Sequence, residues 1–333
     1  SLFSRRTNQD PVSGNTEMRR SLVALTAVAV LGLTSCDRTE DNFGPLQVSD
    51  DPVVFDEGFG DGVGFEPFLG TKLDALQLAR VQTFDGSEAA LRIDVPGPDS
   101  GLFAGGAFVA GLGRDFTGYD ALRFYARANR TATLDVVGIA DDNTGTARYS
   151  ASRTNVSLGL EWREVIVPIP NPSRLRAERG LLWFAEAFEG DPTAPYSIWI
   201  DEVEYVELRT LSEPRATAPV TRTIEAFVGT TITPPGREFA FDYEDRSIVV
   251  SASAGHLDYE SESSDVVVVE EGRLRIVGSG TAQVTATLGD VDANIQLTVI
   301  GRGVPQEPAP TPNYPAGDVL ALFSDAYSTA TVD

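Results

Sequence analysis

Few side chains in this sequence of 333 residues could make or break a covalent bond. It holds one histidine, His256, and one cysteine, Cys36. A Ser-His-Asp triad, a Cys-His dyad or a histidine-rich zinc site would each have to be built on one of these alone, which closes those classes. What remains is carboxylate chemistry. The run Asp201-Glu202-Val203-Glu204-Tyr205-Val206-Glu207 crowds several acids together, and hydrolysis by two carboxyl groups needs a nucleophile and an acid about 5 Å apart. In a regular strand Glu202 and Glu204 share a face and Glu207 does not, unless a bulge intervenes. His256, in Ala254-Gly255-His256-Leu257-Asp258, is expected at a turn or strand start with no catalytic partner beside it.

The elements that must position these groups read as strands. From residue 53 to 208 short β-type runs alternate with Gly, Asp, Asn and Pro, with no apolar stripe of helical period, which predicts an antiparallel all-β domain in two sheets. In the stretch 121–127, Leu122, Phe124 and Ala126 fall on one face and Arg123, Tyr125 and Arg127 on the other, the pattern of a half-buried strand. Strands are also expected at 134–139, 161–169, 181–188 and 197–206. A second unit of about seven short strands spans 218–300, a smaller sandwich of immunoglobulin size. Residues 301–317 contain Pro305, Pro308, Pro310, Pro312 and Pro315 and read as an extended linker. Residues 318–333 read as the opening of a further domain.

Charge narrows the partners. With 49 acidic against 26 basic side chains the formal charge is -23, and Lys72 is the only lysine. Such a surface repels phosphate backbones, so nucleic acid is not expected as a partner. Met18, Arg19 and Arg20 precede an apolar run from Leu22 to Leu33 that ends in Leu33-Thr34-Ser35-Cys36. The run is too short to span a bilayer comfortably, and 18–35 reads as a signal peptide with 1–17 as upstream translation. The last four residues resemble a bacterial lipobox. That resemblance implies lipidation of Cys36, a tether over 36–52, contact with membrane through the lipid alone, and an exported protein on the outer-membrane surface of the cell envelope.

Four stretches occur in order: Asp85-Gly86-Ser87-Glu88-Ala89-Ala90-Leu91-Arg92-Ile93, Phe116-Thr117-Gly118-Tyr119-Asp120-Ala121-Leu122-Arg123-Phe124, Glu161-Trp162-Arg163-Glu164-Val165-Ile166-Val167-Pro168 and Ile198-Trp199-Ile200-Asp201-Glu202-Val203. Together they resemble the galactose-binding-like jelly-roll carbohydrate-binding modules attached to bacterial glycoside hydrolases. Ser261-Glu262-Ser263-Ser264-Asp265-Val266-Val267, continued by 272–286, resembles the bacterial Ig-like group 2 family. The resemblance implies a jelly-roll domain over 53–210, an Ig-like domain over 218–300, and non-catalytic polysaccharide binding as the accessory part of a carbohydrate-degrading protein, whose hydrolase could lie in a missing C-terminal part. It also implies a structural calcium ion between the first and last strands, with Asp56, Glu57 and Asp201 as its ligands here.

Sugar recognition calls for an aromatic face under the ring and hydrogen-bonding side chains around its hydroxyls. The candidates are Arg123, Tyr125 and Arg127, the turn pair Arg148 and Tyr149, and Trp183 with Glu186. Trp162 and Trp199, with apolar neighbours, are expected in the core. Two alternatives stand beside this reading. One is a structural adhesin or surface scaffold that binds no sugar. The other is a cryptic glycoside hydrolase using Glu202 and Glu207, on the likeness of that run to the Glu-x-Asp-x-x-Glu signature of laminarinase-like hydrolases, from which Glu204 departs.

Overall fold

The computed structural model describes residues 48–97, 103–189, 195–305 and 315. Cys36, the segment 18–35, most of the tether and of the Pro-rich linker, and 318–333 lie outside them. No α-helix occurs among the described residues, and none is therefore long and apolar enough to cross a membrane. The all-β expectation holds.

The first region contains β1 (Val53–Phe55), β2 (Val63–Pro67), β3 (Leu76–Ala79), β4 (Ala90–Val95), β5 (Phe103–Arg114), β6 (Ala121–Ala128), β7 (Ala132–Ile139), β8 (Ala151–Leu158), β9 (Arg163–Pro168), β10 (Glu178–Ala187) and β11 (Tyr196–Val206). A six-stranded sheet runs β3-β4-β11-β6-β9, with β1 added to the far half of β11. Its inner face is the even register of β6: Leu122, Phe124 and Ala126 are fully buried, while Arg123, Tyr125 and Arg127 point the other way and stay partly exposed. Ile198 and Ile200 of β11 and Leu91 and Ile93 of β4 continue that inner face. Opposite lies a sheet in which β8, β7, β10, β5 and β2 are neighbours, contributing Leu134, Phe108 and Phe184 to the same core.

One cation is built into this interior. Arg114 is 2% exposed, and its guanidinium donates to the carbonyls of Asp51 (3.0 Å), Val53 (2.5 Å) and Asp61 (2.8 Å), with the Asp51 carboxylate 3.2 Å away. Gly60 makes room for it, since a Cβ there would stand 2.2 Å from the Val53 oxygen. Nearby, Phe116 stacks on Tyr205 at 3.6 Å, and the Tyr205 hydroxyl donates to the Leu181 carbonyl at 2.6 Å.

The second region comprises β12 (Arg215–Ala216), β13 (Val220–Phe227), β14 (Thr231–Ile232), β15 (Arg237–Tyr243), β16 (Arg246–Ala252), β17 (Asp258–Ser261), β18 (Val267–Glu270), β19 (Arg273–Ile276), β20 (Gly280–Leu288) and β21 (Val291–Arg302). One sheet runs β13-β21-β20-β17, with β13 and β21 parallel, and another β14-β19-β18. The hairpin β15–β16 belongs to neither. It extends the first region's sheet, because β16 pairs with β8 through Ser251 opposite Ser152 and Ala252 opposite Ala151, giving the eight-stranded order β12-β15-β16-β8-β7-β10-β5-β2. All the described residues fall in one compact unit. The expected boundary at 210–218 therefore does not interrupt the sheet.

Side chains fasten the same seam. His256 is fully buried in a 3-10 turn over Ala254–His256, and its Nε2 lies 2.7 Å from the Tyr149 carbonyl. A carbonyl only accepts, so Nε2 carries the proton and Nδ1 is left a bare lone pair, buried without a partner. Arg148 donates to the Glu271 carbonyl at 2.6 Å, Ser253 donates to the Arg148 carbonyl at 2.7 Å, and Arg174 pairs with Asp258. Gly255 admits this approach, since a Cβ would fall 2.0 Å from the Arg148 oxygen.

Candidate functional site: the outer face of the six-stranded sheet

Strand register builds rows of side chains across the outer face of this sheet. Gln77, Arg92, Trp199 and Arg127 are successive cross-strand neighbours on β3, β4, β11 and β6. The two guanidinium carbons lie 5.8 and 5.9 Å from the Trp199 ring centroid, a pair of cation–π contacts. Arg92 is paired with Asp94 at 2.8 Å, and Asp94 accepts a hydrogen bond from Ser197 at 2.6 Å. Among the described residues Arg127 has no carboxylate partner, and its Nε is buried without an acceptor. The next row is Asp201, Tyr125 and Glu164.

Just beyond the second row β11 changes register. The shift lies between Asp201 and Glu204, with Glu202 in the left-handed region at φ 46°, so one extra residue is absorbed and Asp201 and Glu204 end on the same face. Glu204 pairs with Arg123. Asp201, fully buried, accepts from the backbone N–H of Phe84 (2.8 Å) and of Glu202 (2.9 Å) and from the Ser87 hydroxyl (3.4 Å). It thereby pins the segment from Val81 to Glu88 over the sheet. Burial raises the Asp201 pKa against those hydrogen bonds. Phe84, carried by this segment, stacks on Tyr125 at 3.7 Å and meets Trp162 edge-on at 5.8 Å.

At one end the face opens into a cleft of about 480 Å³ whose lining includes Lys72, Gln77, Arg92, Asp94, Asn129 and Ser197. Phe103 is an apolar part of the same lining. Cleft and first row share Gln77 and Arg92, and Asp94 and Ser197 of the cleft are bonded to that Arg92 and to each other, so they form one surface. In the cleft Lys72 and Arg92 are balanced by Asp74 and Asp94, so it presents hydrogen-bonding groups without net charge, a chemistry suited to a hydroxyl-rich chain.

The residues singled out in the sequence are divided among three places. Arg123, Tyr125 and Arg127 do share the outer face, but Phe84 covers the Tyr125 ring and Glu204 occupies Arg123; Arg127, on the Trp199 ring, has no carboxylate partner among the described residues. Arg148 and Tyr149 belong to the seam with the second region, where the Arg148 guanidinium also lies 5.7 Å over the Tyr149 ring. Trp183 lies on the other sheet, against Gly138, and donates to the Ile139 carbonyl at 3.2 Å. Glu186 is fully buried: its two oxygens accept from the Tyr196 hydroxyl and from the Asp135 N–H at 2.7 Å. It cannot reach a ligand. Burial, opposed by those two bonds, holds its pKa up at about 7.

Two tryptophans also differ from expectation. Trp199 is 9% exposed, yet it is buried by Arg92 and Arg127 on the outer face rather than between the sheets. Trp162 is only half-buried. The signal was in the sequence: the period of two in Ser197-Ile198-Trp199-Ile200-Asp201 places Trp199 with the polar pair. Phe84, Gln77 and the Arg92–Asp94 pair were missed, and for Phe84, held from a loop, no periodicity exists to find it.

Of the three expected calcium ligands, Glu57 and Asp201 come near each other at the Ser87 hydroxyl, 3.5 and 3.4 Å from their oxygens. Asp56 and Glu57 are exposed, Glu57 accepts from the Glu88 N–H at 2.7 Å, and Asp201 is engaged as above. Among the described residues no three His, Cys, Asp or Glu side chains converge on a metal-sized site. Asp201→Asn is expected to lower the unfolding free energy by about 1–3 kcal/mol, the cost of setting an amide N–H₂ against a backbone donor. Urea denaturation with and without excess chelator checks it. A loss that disappears in chelator would return Asp201 to metal binding.

No protein-family model matches the chain, and no curated protein matches it either. Solved structures do. A family 30 carbohydrate-binding module of a cellulosomal cellulase of Clostridium thermocellum is 16% identical, covering 48% of this chain and 95% of that one with a TM-score of 0.34. A family 11 module from Clostridium thermocellum, in complex with a β-1,3-1,4-mixed-linked tetrasaccharide, is 9% identical over 48% and 98% of the two chains, with a TM-score of 0.33. A β-1,2-glucanase from Parabacteroides distasonis is 14% identical over 78% of this chain and 40% of that one, with a TM-score of 0.34.

Proposed function

We propose that the outer face of the six-stranded sheet binds polysaccharide without cleaving it, in an exported protein held to the bacterial envelope by lipid on Cys36. The observation that carries the binding reading is the row Gln77–Arg92–Trp199–Arg127 running into the cleft at Asp94, Ser197 and Asn129. Trp199 acts as a pedestal that holds two guanidinium groups, and their N–H groups are the donors for ring hydroxyls. Such a shallow surface binds each site weakly, and retention grows when several sites engage one polymer. The anchored setting rests on the sequence of residues 18–36.

The carboxylate run does not favour hydrolysis. Glu204 is paired with Arg123, Glu202 sits on the bulge, and Glu207 lies past the end of β11. The scaffold alternative draws support from the shared sheet, which ties the two described regions together whether or not a glycan is bound.

Affinity electrophoresis through gels containing β-glucan, xylan or agar-type polymer tests the binding. The protein is expected to be retarded by at least one polymer, and Arg92→Ala/Arg127→Ala to weaken retention by about tenfold or more, since hydrogen bonds from charged donors contribute about 1.5–3 kcal/mol each. Free migration of the parent through the whole panel, or a double variant retained as well as the parent, overturns the reading.

A further inference from the structure

A second pocket, basic in its lining, opens at the β9 edge of the six-stranded sheet and meets the outer face at Glu164. It has a volume of about 480 Å³ and is lined by Arg153, Asn155 and Ser157 of β8, Arg163 and Glu164 of β9, and Arg246 at the start of β16. β9 is the edge strand of the six-stranded sheet, so the pocket occupies the seam where the two sheets and the second region meet. Three guanidinium groups face one carboxylate there, in a protein whose formal charge is -23.

The internal bonding leaves that charge uncompensated. Glu164 pairs with Arg246 at 2.9 Å, and Glu244, outside the lining, comes within 3.9 Å of the same guanidinium. Arg163 donates to the Ser157 carbonyl at 3.0 Å and Arg153 to the Ile166 carbonyl at 2.5 Å. Neither has a carboxylate partner among the described residues. Burial, and then the neighbouring charge of Arg246, lower the Arg153 pKa to about 10, the response of a buried cation with a second cation close by. An incoming anion would relieve both penalties. The distant acids do not cancel the attraction, because at about 0.15 M salt charges are screened within about 8 Å.

We propose that this seam is a separate site for an oxyanion, a carboxylate or a sulfate ester, carried on a saccharide. Guanidinium forks match the two in-plane oxygens of a carboxylate and equally two oxygens of a sulfate, and Asn155 and Ser157 supply neutral partners for flanking hydroxyls. The pocket falls in the size range of small-molecule sites, about 300–1,000 Å³. The saccharide carrier rests on the glycan-binding reading above; the oxyanion itself does not.

The test uses the whole protein in titration calorimetry at matched ionic strength with four probes: an oligoglucuronate, a sulfated oligosaccharide, a neutral glucan of equal length, and inorganic sulfate against a chloride control. At least one anionic oligosaccharide is expected to bind. Its affinity should fall about tenfold in each of Arg163→Gln and Arg246→Gln, for the loss of one charge-assisted contact. Both side chains are solvent-accessible, so the fold tolerates their replacement. The same affinity should persist in Arg92→Ala/Arg127→Ala, whereas neutral glucan binding should be lost only in that double variant. The proposal is overturned if anionic and neutral oligomers bind alike, if Arg163→Gln and Arg246→Gln bind the anionic oligomer as the parent does, or if inorganic sulfate binds and no anionic oligosaccharide does. Failure of the neutral glucan arm alone concerns the outer face and leaves this site standing.

Discussion

Arg114→Met is expected to lower the unfolding free energy by about 3–5 kcal/mol, the usual cost of removing one side of a buried charged network. The methionine fills most of the volume, so the loss measures hydrogen bonding rather than a void. Without the guanidinium the carbonyls of Asp51, Val53 and Asp61, and the Asp51 carboxylate, lose their shared donor. Because β1 is only three residues long, few ladder bonds remain to hold it against β11. Urea denaturation at neutral pH gives the number, and amide exchange over 51–61 shows where the protection goes. A loss below about 1 kcal/mol would mean that water satisfies those carbonyls and that the arginine is dispensable.

The second large effect is a pH dependence seated at His256. Burial, against the bond to Tyr149, lowers its pKa to about 4 from an ordinary 6.5. A histidine with a depressed folded pKa stabilises the fold above its unfolded value, and that contribution is lost as pH falls from about 6.5 through 4. It amounts to about 3 kcal/mol over the full window. Glu178 and Glu186 work in the opposite sense. Burial raises both to about 7, so their stabilising contribution is complete below about 4.5 and disappears as pH rises through 7. A bare stability curve mixes the two. The difference between the parent and His256→Gln separates them, because both proteins carry the same glutamates and glutamine can still donate to the Tyr149 carbonyl. That difference should shift by about 3 kcal/mol against the parent between pH 7 and pH 3. A constant difference would show that His256 is not held neutral by the fold.

What could be read from the sequence follows from how locally each feature is encoded. The strand at β6 was legible because six consecutive residues alternate Leu122, Phe124, Ala126 against Arg123, Tyr125, Arg127, and one buried sheet face requires that alternation. The same rule, applied to Ser197 through Asp201, would have moved Trp199 to the outer face; its isoleucine neighbours drew it to the core instead. Trp183 and Glu186 illustrate the limit. Three positions apart, they take opposite faces of β10, and only the sheet partners decide which is open: Trp183 lies against Gly138 while Glu186 enters the core toward Tyr196. The β8–β16 pairing and the burial of His256 against Tyr149 join residues about a hundred positions apart, and nothing in either segment alone specifies the other.

The pairing of β16 with β8 has a mechanical consequence. Two lobes joined by a bare strand swivel freely, and a pull on one is dissipated as rotation at the joint. Here any swivel must open the ladder at Ser251 and Ala252, withdraw His256 from beneath Tyr149 and part Arg174 from Asp258. Torque applied to the second lobe is therefore delivered to the first, and the outer sheet face turns with it as by a wrench.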